Sequence, residues 1–316
     1  MKHLINYCPI PLYEKRLQEY AGGMEAYLKD LQVQGIELYV YDSTIYEPDY
    51  APYVEGVHLR FWPCWLDFWL GQEQALAESF TKEQALAYMG AANRDEWLEL
   101  IKGNLQAAAQ LKPQYCTWHV SHCSIPEAST FKYAYNNRQV LEATAEIFNR
   151  VEQVLPGNIT VLFENLWWPG LTLTEPEEVE YFFSLIKRKN VGIMLDTGHL
   201  MNTKPDLSSE EEAIDYVCKI IEALGEKKSL IKGLHLSCSL SGAYRREFLA
   251  RGQILREGAE IYSHITKLDQ HRIFTSPRVR RIIEAAEPEY VVHELFYSDM
   301  DNLQRLLPQQ LVLVQG

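Results

Sequence analysis

Eight apolar, β-branched runs alternate with helix-periodic segments along 316 residues, and the alternation predicts a single α/β domain over residues 1–316, a (β/α)8 TIM barrel with a long loop after the seventh strand. Three observations carry this. Eight is the count at which a parallel sheet closes on itself. The runs are nearly continuous in hydrophobicity, as strands covered on both faces are. The length accommodates the roughly 250 residues of such a barrel plus insertions.

In order, the strand-like runs are HLINYC (3–8), IELYVY (36–41), GVHLRF (56–61), YCTWHV (115–120), ITVLFE (159–164), VGIMLD (191–196), IKGLHL (231–236) and YVVHEL (290–295). Helical periodicity fills 13–32, 73–111, 137–155, 175–188, 208–225 and 277–287, several of these opened by Ser, Thr or Pro near the first turn. The acidic cluster Glu210–Glu212 suits a helix start, where carboxylates meet the positive end of the dipole. The connection 42–55 is too short for a full helix. Residues 238–276 form an unusually long excursion, and long loops on the catalytic face usually carry function.

Composition narrows the setting. At 47% hydrophobic, with no low-complexity tract or long Gly/Ser/Pro linker, one large core is the simplest account. The opening MKHLINYCPIPLYEKRL lacks a signal-peptide core, and no stretch approaches the roughly 18 apolar residues of a span, so a cytoplasmic protein with no membrane partner is expected. Its six cysteines form no Cys-x-x-Cys pair, which points to reduced, mostly buried thiols and away from a thiolate zinc site. A formal charge of −13 supplies no electrostatic footprint for duplex DNA.

In a barrel of this kind catalytic groups gather at the C-terminal ends of the strands. Those ends carry His58 on the third, His119 on the fourth, Glu164 on the fifth, Asp196 with His199 on the sixth, His235 on the seventh and Glu294 on the eighth. The long loop adds Asp269 and His271. Every one is a metal-ligand type. A buried carboxylate costs several kcal/mol unless paired or metal-bound, so Glu164 in VLFENL and Glu294 in VVHEL need a partner. A divalent cation supplies it. Carboxylates with imidazoles suit Mn, Zn, Co or Fe, and Mg suits an oxygen-rich version of the site.

Glu164-Asn165, the Asp-Thr-Gly-His of 196–199, the His235 of GLHLS and the Glu294 of VVHEL together resemble the xylose isomerase-like TIM barrel superfamily, which includes sugar isomerases and epimerases and the class II apurinic endonucleases. In the epimerase branch the resemblance implies one divalent ion held by Glu164, Asp196, His235 and Glu294. The two glutamates would double as acid and base, with His199 on the substrate. In the endonuclease branch His58, His119, His199, Asp269 and His271 would join those four around three metals. Both branches also differ from this chain. The endonucleases' His-Pro-Gly turn is His119-Val120-Ser121, their Gly-rich turn after Glu-Asn is Leu166-Trp167-Trp168, and their Asp-Arg-His-Glu run is Asp269-Gln270-His271-Arg272. The epimerases' second glutamate falls on Gly170 and their arginine on Ser241, with Arg245 or Arg246 as substitutes.

Three functions follow in order. The first is a metal-dependent isomerase or epimerase of a sugar or sugar phosphate, in which Glu164 and Glu294 move a proton beside a chelated carbonyl. The second is a multinuclear phosphoester hydrolase, which uses all nine ligand types. The third is a metal-holding or partner-binding barrel without catalysis. Within the run FWPCWLDFWL (61–70), Trp62 or Trp65 would lie against a sugar ring opposite Trp167 and Trp168, or the run would face another copy in a homo-oligomer. Lone strand histidines are more often core residues than ligands, which is the reading for His3, His122, His264 and His293.

Overall fold

A computed structural model describes residues 1–42, 48–256 and 258–315. Eight strands, β1 (Lys2–Tyr7), β2 (Gly35–Val40), β3 (Val54–Leu59), β4 (Tyr115–His119), β5 (Thr160–Glu164), β6 (Val191–Asp196), β7 (Ile231–His235) and β8 (Tyr290–His293), pair in chain order and close into a barrel. All eight pairings are parallel, β1 joining β8 through Leu4 beside Val292. Each strand overlaps its predicted run.

The helical segments are more divided than their periodicity suggests. The stretch 13–32 is two helices, Pro11–Glu19 and Gly23–Asp30, broken at Gly22 with φ 91°. The stretch 73–111 is three: Glu73–Ser79, then Lys82–Met89 opened by a Thr81–Gln84 capping box, then Arg94–Gln110 capped by Asn93. Local caps end a helix even where apolar spacing continues. The excursion after β7 contains helices Gly242–Arg251 and Gly258–Leu268, with residue 257 outside the described residues. Of the 42–55 connection, residues 43–47 lie outside them too, and Pro48–Tyr53 is a 3-10 helix. Glu210–Ala223 begins at the acidic cluster, capped by Ser209. The C-terminal helix Met300–Gln315 has no counterpart in the sequence reading.

One core fills the space between strands and helices, built on Ile5, Val57, Phe163 and Leu195 with Phe148, Phe182 and Ile214 opposite. A second, smaller cluster of Leu4, Tyr115, Leu162, Met194 and Val292 plugs the lower barrel interior. Successive side chains on a strand alternate between faces, so residues two positions further on point into the same interior, nearer its mouth. At Gly56 an added Cβ would fall 2.2 Å from the Tyr115 ring, so that ring needs a glycine beside it. All six cysteines are free, and all but Cys8 are buried. Among the described residues no helix is long and apolar enough to cross a membrane.

Candidate metal centre

Strand alternation carries Leu162 to Glu164, Met194 to Asp196, Gly233 to His235 and Val292 to Glu294, and these four acids and imidazoles meet at the mouth. His235 Nδ1 lies 3.2 Å from Glu164 Oε1, 2.9 Å from Glu294 Oε2 and 4.0 Å from Asp196 Oδ2. Glu164 is fully buried and faces three further histidines: its Oε2 lies 3.3 Å from His58 Nε2 and 3.2 Å from His119 Nε2, and its Oε1 lies 3.3 Å from His199 Nδ1. The predicted pair in the long loop arrives as well. Asp269 Oδ2 is 3.1 Å from His199 Nε2 and 2.6 Å from His271 Nε2.

The loop is pinned for this purpose. Cys238, just past β7, exchanges backbone hydrogen bonds with Arg272, and His271 takes a left-handed φ of 42°. A non-glycine residue pays about 1–3 kcal/mol for such a backbone and keeps it only where the surroundings enforce it. Here the His271 Nδ1–H donates to the Glu294 carbonyl at 2.9 Å.

The imidazoles share a pattern. In His271, His199 and His58 the Nδ1–H donates to a backbone carbonyl, of Glu294, Asn165 (2.8 Å) and Leu59 (3.1 Å) respectively. That fixes the tautomer and leaves Nε2 aimed at carboxylates, the arrangement in which metal-binding histidines are held. Asn165 also braces Asp196 through both backbone groups, at 2.8 and 3.0 Å, while the Asp196 carboxylate accepts the His199 N–H at 2.5 Å.

The charge balance is uneven. Burial drives the His119 imidazole down to about 3, so it stays neutral with a lone pair to give. Burial also raises Asp196 to about 7, against the pull of His199; Glu294, Asp269 and Glu164 add to the rise as like charges. Burial pulls His271 down as well, but the Asp269 charge and hydrogen bond outweigh it and push His271 up to about 10. Several buried polar atoms have no hydrogen-bond partner: Glu164 Oε2, Asp196 Oδ2, Glu294 Oε2, His58 Nε2 and His119 Nδ1. Three buried carboxylate oxygens with only imidazole nitrogens for polar neighbours make a donor set that fits a divalent ion. Among the described residues the ligand atoms fall into four groups whose members lie within 4.8 Å of one another: Glu164, Asp196, His235 and Glu294; His58, His119 and Glu164; His199, Asp269 and His271; and Glu37, His58 and His235.

Around the rim, Trp167 packs on His199 with centroids 5.2 Å apart, and its indole N–H has no partner among the described residues. Trp168 packs on Trp167. Trp62 and Trp65 line a cavity of about 40 Å³ that also touches His119. Trp65 donates its indole N–H to the Ser121 carbonyl at 2.7 Å, whereas that of Trp62 is unpaired. Arg245 is half-buried over the Phe131 ring, in the aromatic cluster that contains Trp167. Arg246 is turned to the Pro205 carbonyl at 3.2 Å. His3 and His293 bond to each other at 3.0 Å, His264 bonds to Tyr244 and Ala128, and His122 bonds to the Leu66 N–H; none belongs to any of the four ligand groups.

Four residues at the centre escaped the sequence reading. Phe61 stacks on His119 at 4.5 Å and Phe296 on His271 at 4.4 Å. Glu37 and Tyr39, inward-facing on β2, reach His235 (2.9 Å) and Glu294 (2.6 Å). A glutamate two residues before a tyrosine inside an apolar run was the available signal.

Two positions bear on the epimerase branch. At Gly170, where that branch carries its second glutamate, φ is 140° and an added Cβ would fall 2.2 Å from the Val120 carbonyl oxygen. No side chain fits there without moving backbone. Ser241, at the arginine position, is buried and donates to Asn202 at 2.6 Å.

The model of the xylose isomerase-like TIM barrel family matches residues 76–305. No curated protein matches the chain. Similar solved structures include endonuclease IV from Thermus thermophilus (11% identity, 100% of this chain and 99% of that one, TM-score 0.56). They also include a 3-keto-D-glucoside 4-epimerase from E. coli (14%, 100% and 100%, 0.53). A third is D-psicose 3-epimerase from Clostridium cellulolyticum (12%, 100% and 97%, 0.52). At these identities the likeness is one of fold.

Proposed function

The chain belongs to the xylose isomerase-like TIM barrel family, and from that premise we propose that it is a divalent-metal-dependent enzyme that hydrolyses a small phosphate ester at a site for up to three ions. This reverses the order in which the sequence ranks hydrolysis and isomerisation. The observation that carries it is that all nine predicted side chains fall into three ligand groups, two of them sharing Glu164, beside a fourth of Glu37, His58 and His235. A mononuclear isomerase needs only the first group. It leaves the carbonyl-fixed tautomers of His58, His199 and His271 without a purpose.

The residues that would hold the ions are Glu164, Asp196, His235 and Glu294; His58 and His119 with Glu164; and His199, Asp269 and His271. When bound, divalent ions polarise a phosphoryl oxygen and lower the pKa of water. The protein's own part is position. Glu164 turns one oxygen towards His58 and His119 and the other towards His199 and His235, so it ties the groups together. Glu294 is held at both oxygens, Oε1 by the Tyr39 hydroxyl and Oε2 beside His235 Nδ1 at 2.9 Å, which fixes its place in the central group. Phe61, Trp167 and Phe296 wall the imidazoles from solvent. Arg245 is better placed than Arg246 to meet a phosphate, being held among the rim aromatics. A net charge of −13 favours a small ester over duplex DNA.

The isomerase or epimerase reading stays second, supported by Glu164 and Glu294 both reaching His235 Nδ1 as a carboxylate pair able to pass a proton. Elemental analysis with two assays separates the readings. Two or three ions per chain with hydrolysis of bis(p-nitrophenyl) phosphate is the expected result. One ion, with deuterium entering a keto-sugar from D2O, would overturn hydrolysis in favour of isomerisation. Bound ions with neither activity would leave a metal-holding barrel.

A further inference from the structure

We propose that Glu37, on a strand that supplies no predicted ligand, is a positioning residue that sets the ring orientation and tautomer of His235 and thereby the affinity of the four-residue metal group. Glu37 is fully buried in the barrel interior. Its Oε1 accepts a hydrogen bond from His235 Nε2 at 2.9 Å, and its Oε2 accepts one from the Thr117 hydroxyl at 3.2 Å. The bond crosses the lumen, because β7 pairs with β6 and β8 while β2 pairs with β1 and β3.

The geometry divides the work of the ring. His235 is the one imidazole of the central group, and three carboxylates face its Nδ1. With Nε2–H donated to Glu37, Nδ1 is left as the lone-pair nitrogen directed at Glu164, Asp196 and Glu294. The other three braced histidines use a backbone carbonyl on Nδ1 and present Nε2. His235 is inverted, and a carbonyl does not do the bracing; a buried carboxylate does. Such partners orient a ligand, raise its basicity and typically change metal affinity 10–100-fold when lost. Tyr39, two residues along the same face of β2, holds Glu294 in the same manner.

The inference rests on reading the central group as a metal site, and the test keeps the two apart. Zinc affinity of the full chain is measured by competition with a chromophoric chelator for wild type, Glu37→Leu, Glu37→Gln and Thr117→Val, with imidazole 1H–15N NMR of the zinc-loaded proteins. Glu37→Leu is expected to weaken zinc roughly 10–100-fold. Glu37→Gln recovers part of this, since an amide oxygen still accepts the Nε2–H, and Thr117→Val causes a smaller loss. The His235 Nε2–H resonance, protected and far downfield in wild type, is lost in Glu37→Leu. Were Glu37→Leu not to fold, Glu37→Gln and Thr117→Val would decide. Affinities within about threefold of wild type with an unchanged resonance would overturn the proposal alone. A lower number of bound ions at unchanged affinity would also overturn it, because Glu37 would then be a ligand with His58 and His235. Wild-type protein that takes up no zinc would overturn both the proposal and the metal reading beneath it.

Discussion

The two ends of the barrel interior are built from the same strands, two residues apart, and do opposite work. Below lie Tyr115, Leu162, Met194 and Val292. Above them stand Thr117, which donates to Glu37, and Glu164, Asp196 and Glu294, which face the buried His235. The lower layer is solved as a packing problem, with Gly56 leaving room for the Tyr115 ring. The upper layer is charged instead, since it buries carboxylate oxygens whose polar neighbours are imidazole nitrogens. A strand period of two lets one face of one sheet carry both, so stability and chemistry are separable by a single step along each strand.

The sharpest way to break this separation is at β5. Glu164→Gln removes the carboxylate shared by two ligand groups. Activity is expected to fall by roughly 10²–10³-fold or more, with the ion count reduced by more than one and the secondary structure kept. Leu162→Ala, two residues earlier, is expected to do the reverse. It should cost about 2–5 kcal/mol of stability through the cavity it leaves, while ions per folded chain and turnover per folded chain stay at wild-type values. Elemental analysis and denaturant titration of both variants check the pair. Loss of ions in Leu162→Ala under conditions where it is fully folded would mean that the layers are one unit.

The same step along the strand explains how much was legible in the sequence. The strands could be counted because both-face burial writes itself as continuous apolar runs, and the third to eighth runs each carried near their end a ligand type that the closed barrel brings to one mouth. Asp269 and His271 were readable only as residue types. Their arrival depends on the Cys238–Arg272 bridge and on a left-handed histidine, neither of which leaves a periodic trace. Glu37 was hidden for a related reason: its partner is 198 positions away across the lumen, and IELYVY reads as a strand whatever that glutamate touches. In the aromatic run 61–70 the spacing of the rings does not say which of them meets the site. The sequence pointed to tryptophans there, and the ring on His119 is Phe61.

The smallest effect expected is on stability against pH, and it concerns the loop pair. In chelated protein the His271 imidazolium is held by Asp269, which lifts it to about 10 against the downward pull of burial. A histidine whose folded value is raised contributes stability that is fully present below its unfolded value of about 6.5 and is lost as pH rises through the folded value. The melting temperature of the chelated protein should therefore decline between pH 7 and pH 10, by a few degrees given about 2–4 °C per kcal/mol in a large domain. His58, His199 and His235 are raised as well, because the surrounding carboxylates outweigh their burial, so His271→Gln should flatten the decline without abolishing it. Bound divalent ions take the proton's place beside Asp269, and the metal-loaded protein should lose the slope over the same range. An identical decline in wild type and His271→Gln would show that the pair at the loop contributes nothing, and would leave His58, His199 and His235 as the source of the pH dependence.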